Sequence, residues 1–242
     1  MTPRWGEKPI RGVLFDKDGT LFDFQKSWGR LGEEVIATLS AGEPRLARRL
    51  AEVAGYDLAT GRYRAGSPLV AGAISEIVEG WLAVLPQWRA DELTEWLDIQ
   101  ATAAAAGGLT PAAEDLPGLL SRLRRAGLTL GVATHDSEAA ARAQLSRHGV
   151  VEQFAFIAGY DSGHGLKPGP GMMRAFEVAT GVRAAETVVA GDSLHDLGLA
   201  RSSGAAAAIG VLTGPADAEH LGPHADLVIA SIEGLPEALG MI

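Results

Sequence analysis

A chain of 242 residues, 47% of them hydrophobic and 21% charged, has the apolar content to bury a core, which excludes disordered, collagenous and small disulfide-stapled classes. Its 21 Lys and Arg against 30 Asp and Glu give a formal net charge of −9, the wrong sign for gathering nucleic acid phosphates or anionic lipid. Without cysteine there is no disulfide framework, thiolate nucleophile or Cys-ligated zinc, and a reducing compartment is compatible with the composition.

The stretch before Gly12 lacks the apolar segment of a signal peptide, and no run approaches the roughly 18 apolar residues of a membrane span, so the expected location is cytoplasmic. Gly12 to Phe15 is a short apolar run that stops at Asp16-Lys17-Asp18-Gly19-Thr20, the pattern of a buried strand entering a polar loop. Residues 23–108 then read as helix. Trp28, Leu31, Val35 and Leu39 mark one helix, Ile74, Ile77, Val78, Trp81, Leu82 and Leu85 another, and residues 90–106 a third. This segment is an all-helical insertion with Trp28, Trp81, Trp88 and Trp96 to fill a core of its own. Arg62 and Arg64, in the polar segment 60–66, read as a surface loop, with an anionic substrate tail as their alternative partner.

Beyond the insertion, short apolar runs at 128–133, 154–158, 187–190, 205–212 and 226–229 alternate with helical stripes such as Leu116, Leu119, Leu120, Leu123 and Met172, Met173, Phe176, Ala179. Arg122, Arg124 and Arg125 lie on the solvated side of the first of these helices. Strands alternating with single helices imply right-handed crossovers and a parallel sheet covered on both faces. The fold class is therefore α/β: a doubly wound core of residues 1–22 and 109–242, with the helical segment 23–108 inserted after the first strand.

In such a sheet, ligands bind beyond the carboxyl ends of the strands. The polar residues fall there: Asp16 and Asp18 after the first strand, Thr134, His135 and Asp136 after the second, Asp161, His164 and Lys167 after the third, and Asp192, Ser193 and Asp196 after the fourth. Carboxylates crowded at one edge repel unless a cation sits among them, and oxygen donors of this kind suit Mg²⁺. Two carboxylates at i and i+2 can divide the work of phosphoryl transfer, one attacking phosphorus and the other serving as general acid and base. Lys167, the Thr134 hydroxyl and amides of the Gly19 turn can neutralise or hydrogen-bond the phosphoryl oxygens.

Four motifs, Phe15-Asp16-Lys17-Asp18-Gly19-Thr20-Leu21, Val132-Ala133-Thr134-His135, Leu166-Lys167-Pro168-Gly169-Pro170 and Gly191-Asp192-Ser193-Leu194-His195-Asp196, resemble those of the haloacid dehalogenase superfamily, and within it the phosphatases similar to phosphoglycolate phosphatase. The resemblance spans nearly all of residues 11–240. It implies that Asp16 is the nucleophile forming an aspartyl-phosphate and Asp18 the general acid/base. Thr134 and Lys167 would bind the substrate phosphate, with His135 beside Thr134 as a further candidate. Asp16, Asp192 and the main-chain carbonyl of Asp18 would hold Mg²⁺, with Asp196 in support, and the helical insertion would be the cap that closes over the substrate. The carboxylate at position 18 points to phosphate esters rather than halides or phosphonates.

The function implied is an Mg²⁺-dependent phosphatase acting on small phosphorylated metabolites such as phosphoglycolate, with no nucleic acid or membrane partner. A phosphosugar mutase shares the nucleophile, the acid/base and the metal; a phospho-accepting regulatory module shares the acidic pocket but needs neither Asp18 nor a cap. Two positions depart from the family pattern. His135 stands where Asn is common and is either a substrate contact or a loop histidine, and Lys17 stands where Leu is commoner. From the alternation of side chains along a strand, Lys17 is expected to point away from the nucleophile as a tolerated variation. His164 and His195 are expected in surface or supporting roles.

Overall fold

The computed structural model describes residues 2–64, 67–68 and 74–241, the side chains of 74–76 and 105–107 excepted. Ala65 and Gly66 of the polar segment, and the side chain of Ile74 in the second predicted helix, lie outside the described residues. The chain divides into two compact units, Met1–Asp23 with Pro111–Ile242, and Phe24–Thr110.

The first unit is built on a six-stranded parallel sheet. Its strands are β1 (Gly12–Phe15), β2 (Thr129–Ala133), β3 (Phe156–Ala158), β4 (Thr187–Gly191), β5 (Ala207–Val211) and β6 (Leu227–Ile229), in the spatial order β6-β5-β4-β1-β2-β3. Every residue of β1, β4 and β5 is buried, as expected of central strands covered on both faces. Leu14 and Val189 pack with Met172, Met173 and Phe176 of the helix Gly171–Thr180 and with Leu197 and Ala200 of the helix Leu194–Ser203. The helix Leu116–Arg125 buries Leu116, Leu120 and Leu123 and leaves its three arginines exposed near its carboxyl end, where cations complement the helix dipole. Asp115 caps its start by accepting a hydrogen bond from the Gly118 amide at 2.9 Å.

The second unit is carried by the helices Phe24–Ser40, Pro44–Ala54, Ile74–Leu82 and Ala90–Gly107. Ile36, Leu39, Leu50, Trp81, Leu85 and Leu93 form its core. Trp81 is buried in this core and donates its indole N–H to the Leu50 carbonyl at 2.8 Å, and the half-buried rings of Trp88 and Trp96 pack against it 5.9 Å apart. A two-residue antiparallel ribbon, Tyr56–Asp57 with Arg62–Tyr63, adds to the helices. Gln25 fixes it, donating to the Tyr63 carbonyl at 2.8 Å and accepting from the Tyr63 amide at 2.9 Å. Arg62 and Arg64 are exposed on and beside this ribbon. No helix among the described residues is long and apolar enough to cross a membrane.

Candidate active site

The strand order reverses between β1 and β4, and the crevice at that switch point is where an open α/β sheet binds its ligand. Asp16 continues the ladder one step past β1, its amide donating to the Ala190 carbonyl at 2.9 Å, which seats its carboxylate at the sheet edge. The chain then folds back on itself. Leu21 and Phe22 donate to the Lys17 carbonyl at 2.9 and 3.1 Å, and Gly19 takes a φ of 90° that side-chain-bearing residues rarely adopt.

Asp192 follows β4, and Asp196 lies in the first turn of the next helix. One oxygen of Asp196 caps that turn, accepting from the Ser193 hydroxyl at 2.6 Å and the Ser193 amide at 3.1 Å. Its other oxygen and Oδ1 of Asp16 each lie 2.6 Å from Nζ of Lys167. Carboxylate oxygens of Asp16, Asp192 and Asp196, all buried, come within 4.8 Å of one another.

The electrostatics follow from three buried carboxylates sharing one lysine. Burial raises Asp16, Lys167 opposes the rise and Asp196 adds to it, leaving Asp16 at about 7. Asp192 is pushed well above the usual carboxylate range by burial and then by Asp16 and Asp196. Lys167 is raised, because Asp16 and Asp196 outweigh the effect of its burial.

Asp192 accepts from the Thr20 hydroxyl at 3.3 Å, while a Cβ at Gly19 or Gly214 would stand 2.3 or 1.9 Å from its Oδ2. The backbone therefore closes on this carboxylate from two loops, which Thr213 ties together by donating to the Gly19 carbonyl at 2.7 Å. A compact set of buried oxygen donors carrying more negative charge than one lysine neutralises fits a hard divalent cation, Mg²⁺ by donor chemistry.

The second and third loops meet on Lys167. Thr134 is buried, and its oxygen accepts from the Asp136 amide at 3.0 Å, so the hydroxyl proton can be given to a ligand. His135 Nε2 accepts from the Lys167 amide at 3.1 Å, which assigns its proton to Nδ1. Burial, helped by Lys167, holds this imidazole down at about 4, so it is neutral near pH 7. His135 thus ties into the Lys167 loop, and its ring meets the His195 ring at 5.5 Å. Asp161 accepts from the Glu138 amide at 2.8 Å, and the His164 ring lies 6.2 Å from that of Phe156.

Lys17 was expected to point away from the nucleophile, and the charged groups it meets are Asp18 and Asp136. It is wholly buried, its ammonium pairs with Oδ2 of Asp18, and it lies 3.2 Å from Oδ2 of Asp136. Burial works against its charge, and the two aspartates more than offset that, so Lys17 is raised. The Asp18 carboxylate is directed to this pair and is not among the three clustered carboxylates; the expected metal contact of that residue is its main-chain carbonyl. Thr20, Lys17, Thr213 and Gly214 were not singled out as site residues by sequence reasoning. For the last two, no local signal exists.

A family model described as haloacid dehalogenase-like hydrolase matches residues 10–204. The chain is 32% identical over 212 residues, 86% of its length and 82% of the relative's, to a Dickeya dadantii protein named "Probable phosphatase IndB". It is 35% identical over 86 residues, 36% of each chain, to a phosphoglycolate phosphatase of Rhodospirillum rubrum. A solved structure of a haloacid dehalogenase family hydrolase from Deinococcus radiodurans, with bound phosphate and sodium, superimposes with a TM-score of 0.72 at 23% identity, covering 97% of both chains.

Proposed function

The chain belongs to the haloacid dehalogenase-like hydrolases, and from that membership we propose that it is a phosphatase transferring the phosphoryl group of a small phosphorylated metabolite to Asp16 and then to water. The observation that carries this reading is the buried cluster in which Lys167 holds Asp16 and Asp196 at 2.6 Å beside Asp192.

Lys167 holds Oδ1 of Asp16, and the other oxygen of that carboxylate attacks phosphorus as the bond to the leaving oxygen breaks. Asp18 gives the leaving oxygen its proton. It then takes a proton from the water that attacks the aspartyl-phosphate, regenerating Asp16 and releasing inorganic phosphate. Thr134 and Lys167 donate to the phosphoryl oxygens, and His135 keeps the Lys167 loop in place. Asp16, Asp192 and the Asp18 carbonyl would hold Mg²⁺, with Asp196 in support, and the ion would neutralise charge on the phosphoryl group. The relative from Rhodospirillum rubrum makes phosphoglycolate the first substrate to try. Residues 24–110 take the part of the substrate-selecting cap.

The test is a panel of phosphorylated metabolites scored for released inorganic phosphate with wild type and Asp16→Asn. Release by wild type and none by the folded variant is the expected result. An isomerised phosphosugar without free phosphate would replace this reading with a mutase, and a long-lived phosphoaspartate without turnover would replace it with a regulatory module.

A further inference from the structure

The loops after β1 and β2 are joined by a buried cation that the mechanism above does not use. Lys17 has no exposed surface; its ammonium pairs with Asp18, lies 3.2 Å from Asp136 and faces the Phe22 ring at 6.0 Å. Withdrawing an ammonium from water is costly, and replacing a buried ion pair by apolar side chains of similar volume is often neutral or stabilising. A position that only had to fill space would be served by a thioether or a branched alkane. The aspartates, by contrast, keep 24% and 38% of their side-chain surface exposed, so solvent can reach them without the lysine.

The arrangement acts on Asp18 in a specific way. The backbone of this loop is fixed, since the Lys17 carbonyl accepts from both Leu21 and Phe22. What the backbone leaves open is the rotation of the Asp18 side chain, and Lys17 holds one oxygen of that carboxylate. Asp136 braces the lysine from the second loop, and its amide at the same time donates to the hydroxyl oxygen of Thr134 at 3.0 Å. One buried cation therefore sets the acid/base carboxylate in register with the loop that presents the phosphate-binding hydroxyl.

We propose that Lys17, braced by Asp136, is a positioning residue that fixes the carboxylate of Asp18 for proton transfer; this rests on the phosphatase reading. Lys17→Met keeps the length of the side chain and removes the cation. It should fold with a melting temperature at or above that of wild type while kcat on an alkyl phosphate falls about 10- to 100-fold, the scale of a misplaced catalytic group, with KM changed far less. Because the lysine acts through Asp18, adding Lys17→Met to Asp18→Asn should change kcat by less than about twofold. A purely structural role would lower both backgrounds alike. Folded Lys17→Met with wild-type kcat, or losses that multiply in the double variant, would overturn the proposal. Should Lys17→Met fail to fold, Asp136→Asn, at a partly exposed position, is expected to give a smaller loss that also vanishes in the Asp18→Asn background; unchanged kcat there overturns it equally. If wild type released phosphate from no ester, both the phosphatase reading and this one would fall, which separates the two failures.

Discussion

Asp18 and Asp16 are two residues apart yet occupy different surroundings, and that difference suits the separate parts proposed for them. Asp16 is buried against Lys167 and two further carboxylates, whereas Asp18 lies partly exposed on Lys17. An acid/base group reached by solvent can exchange its proton between turnovers, and such catalysis is typically worth about 10² to 10⁴ in rate. Asp18→Asn should therefore cut steady-state turnover of alkyl phosphates by that factor. With an aryl phosphate, whose leaving group needs little protonation, the first turnover should survive and appear as a burst followed by slow release; stopped-flow detection of the phenolate checks it. A variant that matched wild type on an alkyl phosphate would remove Asp18 from the mechanism. Asp16, Thr134 and Asp192 were legible as candidates because each directly follows a short apolar run, whereas Lys167, in a long loop, and Asp196, inside a helix, were marked by the motifs alone. The pairing of Lys17 with Asp136 was not legible because it joins loops far apart in the chain, and Gly214 was invisible because what matters is its approach to Asp192 from a distant loop.

Among the secondary-structure elements, the short apolar runs identified the six strands, though most of their ends shifted slightly. Phe154 was included in the third run, but the strand begins at Phe156 because the 3-10 turn Val151–Gln153 occupies the chain just before it. The ribbon at Tyr56–Asp57 left no trace, since two-residue strands have no periodicity to read. One junction between elements carries a measurable charge effect. Asp226, just before β6, accepts from the Ala208 amide of β5 at 2.8 Å and from both terminal nitrogens of a guanidinium, 2.9 and 3.1 Å from Nη1 and Nη2 of Arg201. Burial would raise this carboxyl, but the Ala208 amide and Arg201 outweigh it and hold it below its ordinary value. A carboxyl depressed on folding contributes stability that is complete above its unfolded value, about 3.9, and is lost as pH falls through its folded value. Asp226→Ala should thus cost about 1 to 2 kcal/mol in urea unfolding at pH 7, a figure discounted for partial exposure, and progressively less below pH 4. An equal cost at pH 7 and pH 3 would show that packing, not charge, ties these elements.

For the molecule as a whole, the doubly wound sheet was readable from one contrast, a short apolar run before a long stretch that has only helical stripes and, after it, further short runs alternating with single helices. What that contrast could not show is how the chain leaves and re-enters the first unit. Phe22 bridges to Pro111 in antiparallel fashion and the Ala112 amide donates to the Leu21 carbonyl at 3.0 Å, so the two ends of the insertion are held side by side within the sheet unit itself. Residues 24–110 can therefore be replaced by a short flexible linker without stretching the core, because loop closure over so small a gap costs little. The carboxylate cluster belongs entirely to the remaining unit. A ligand that binds only the folded state raises its stability by mass action, so Mg²⁺ should raise the melting temperature of both the intact and the shortened protein, and Asp192→Ala should abolish the shift in each. The shortened protein is expected to keep low phosphatase activity and to lose discrimination among phosphate esters, since the water exclusion and substrate contacts assigned to the helical unit would be gone. If it folds, binds Mg²⁺ and still ranks a panel of esters as the intact enzyme does, selectivity resides in the strand-end loops and not in residues 24–110.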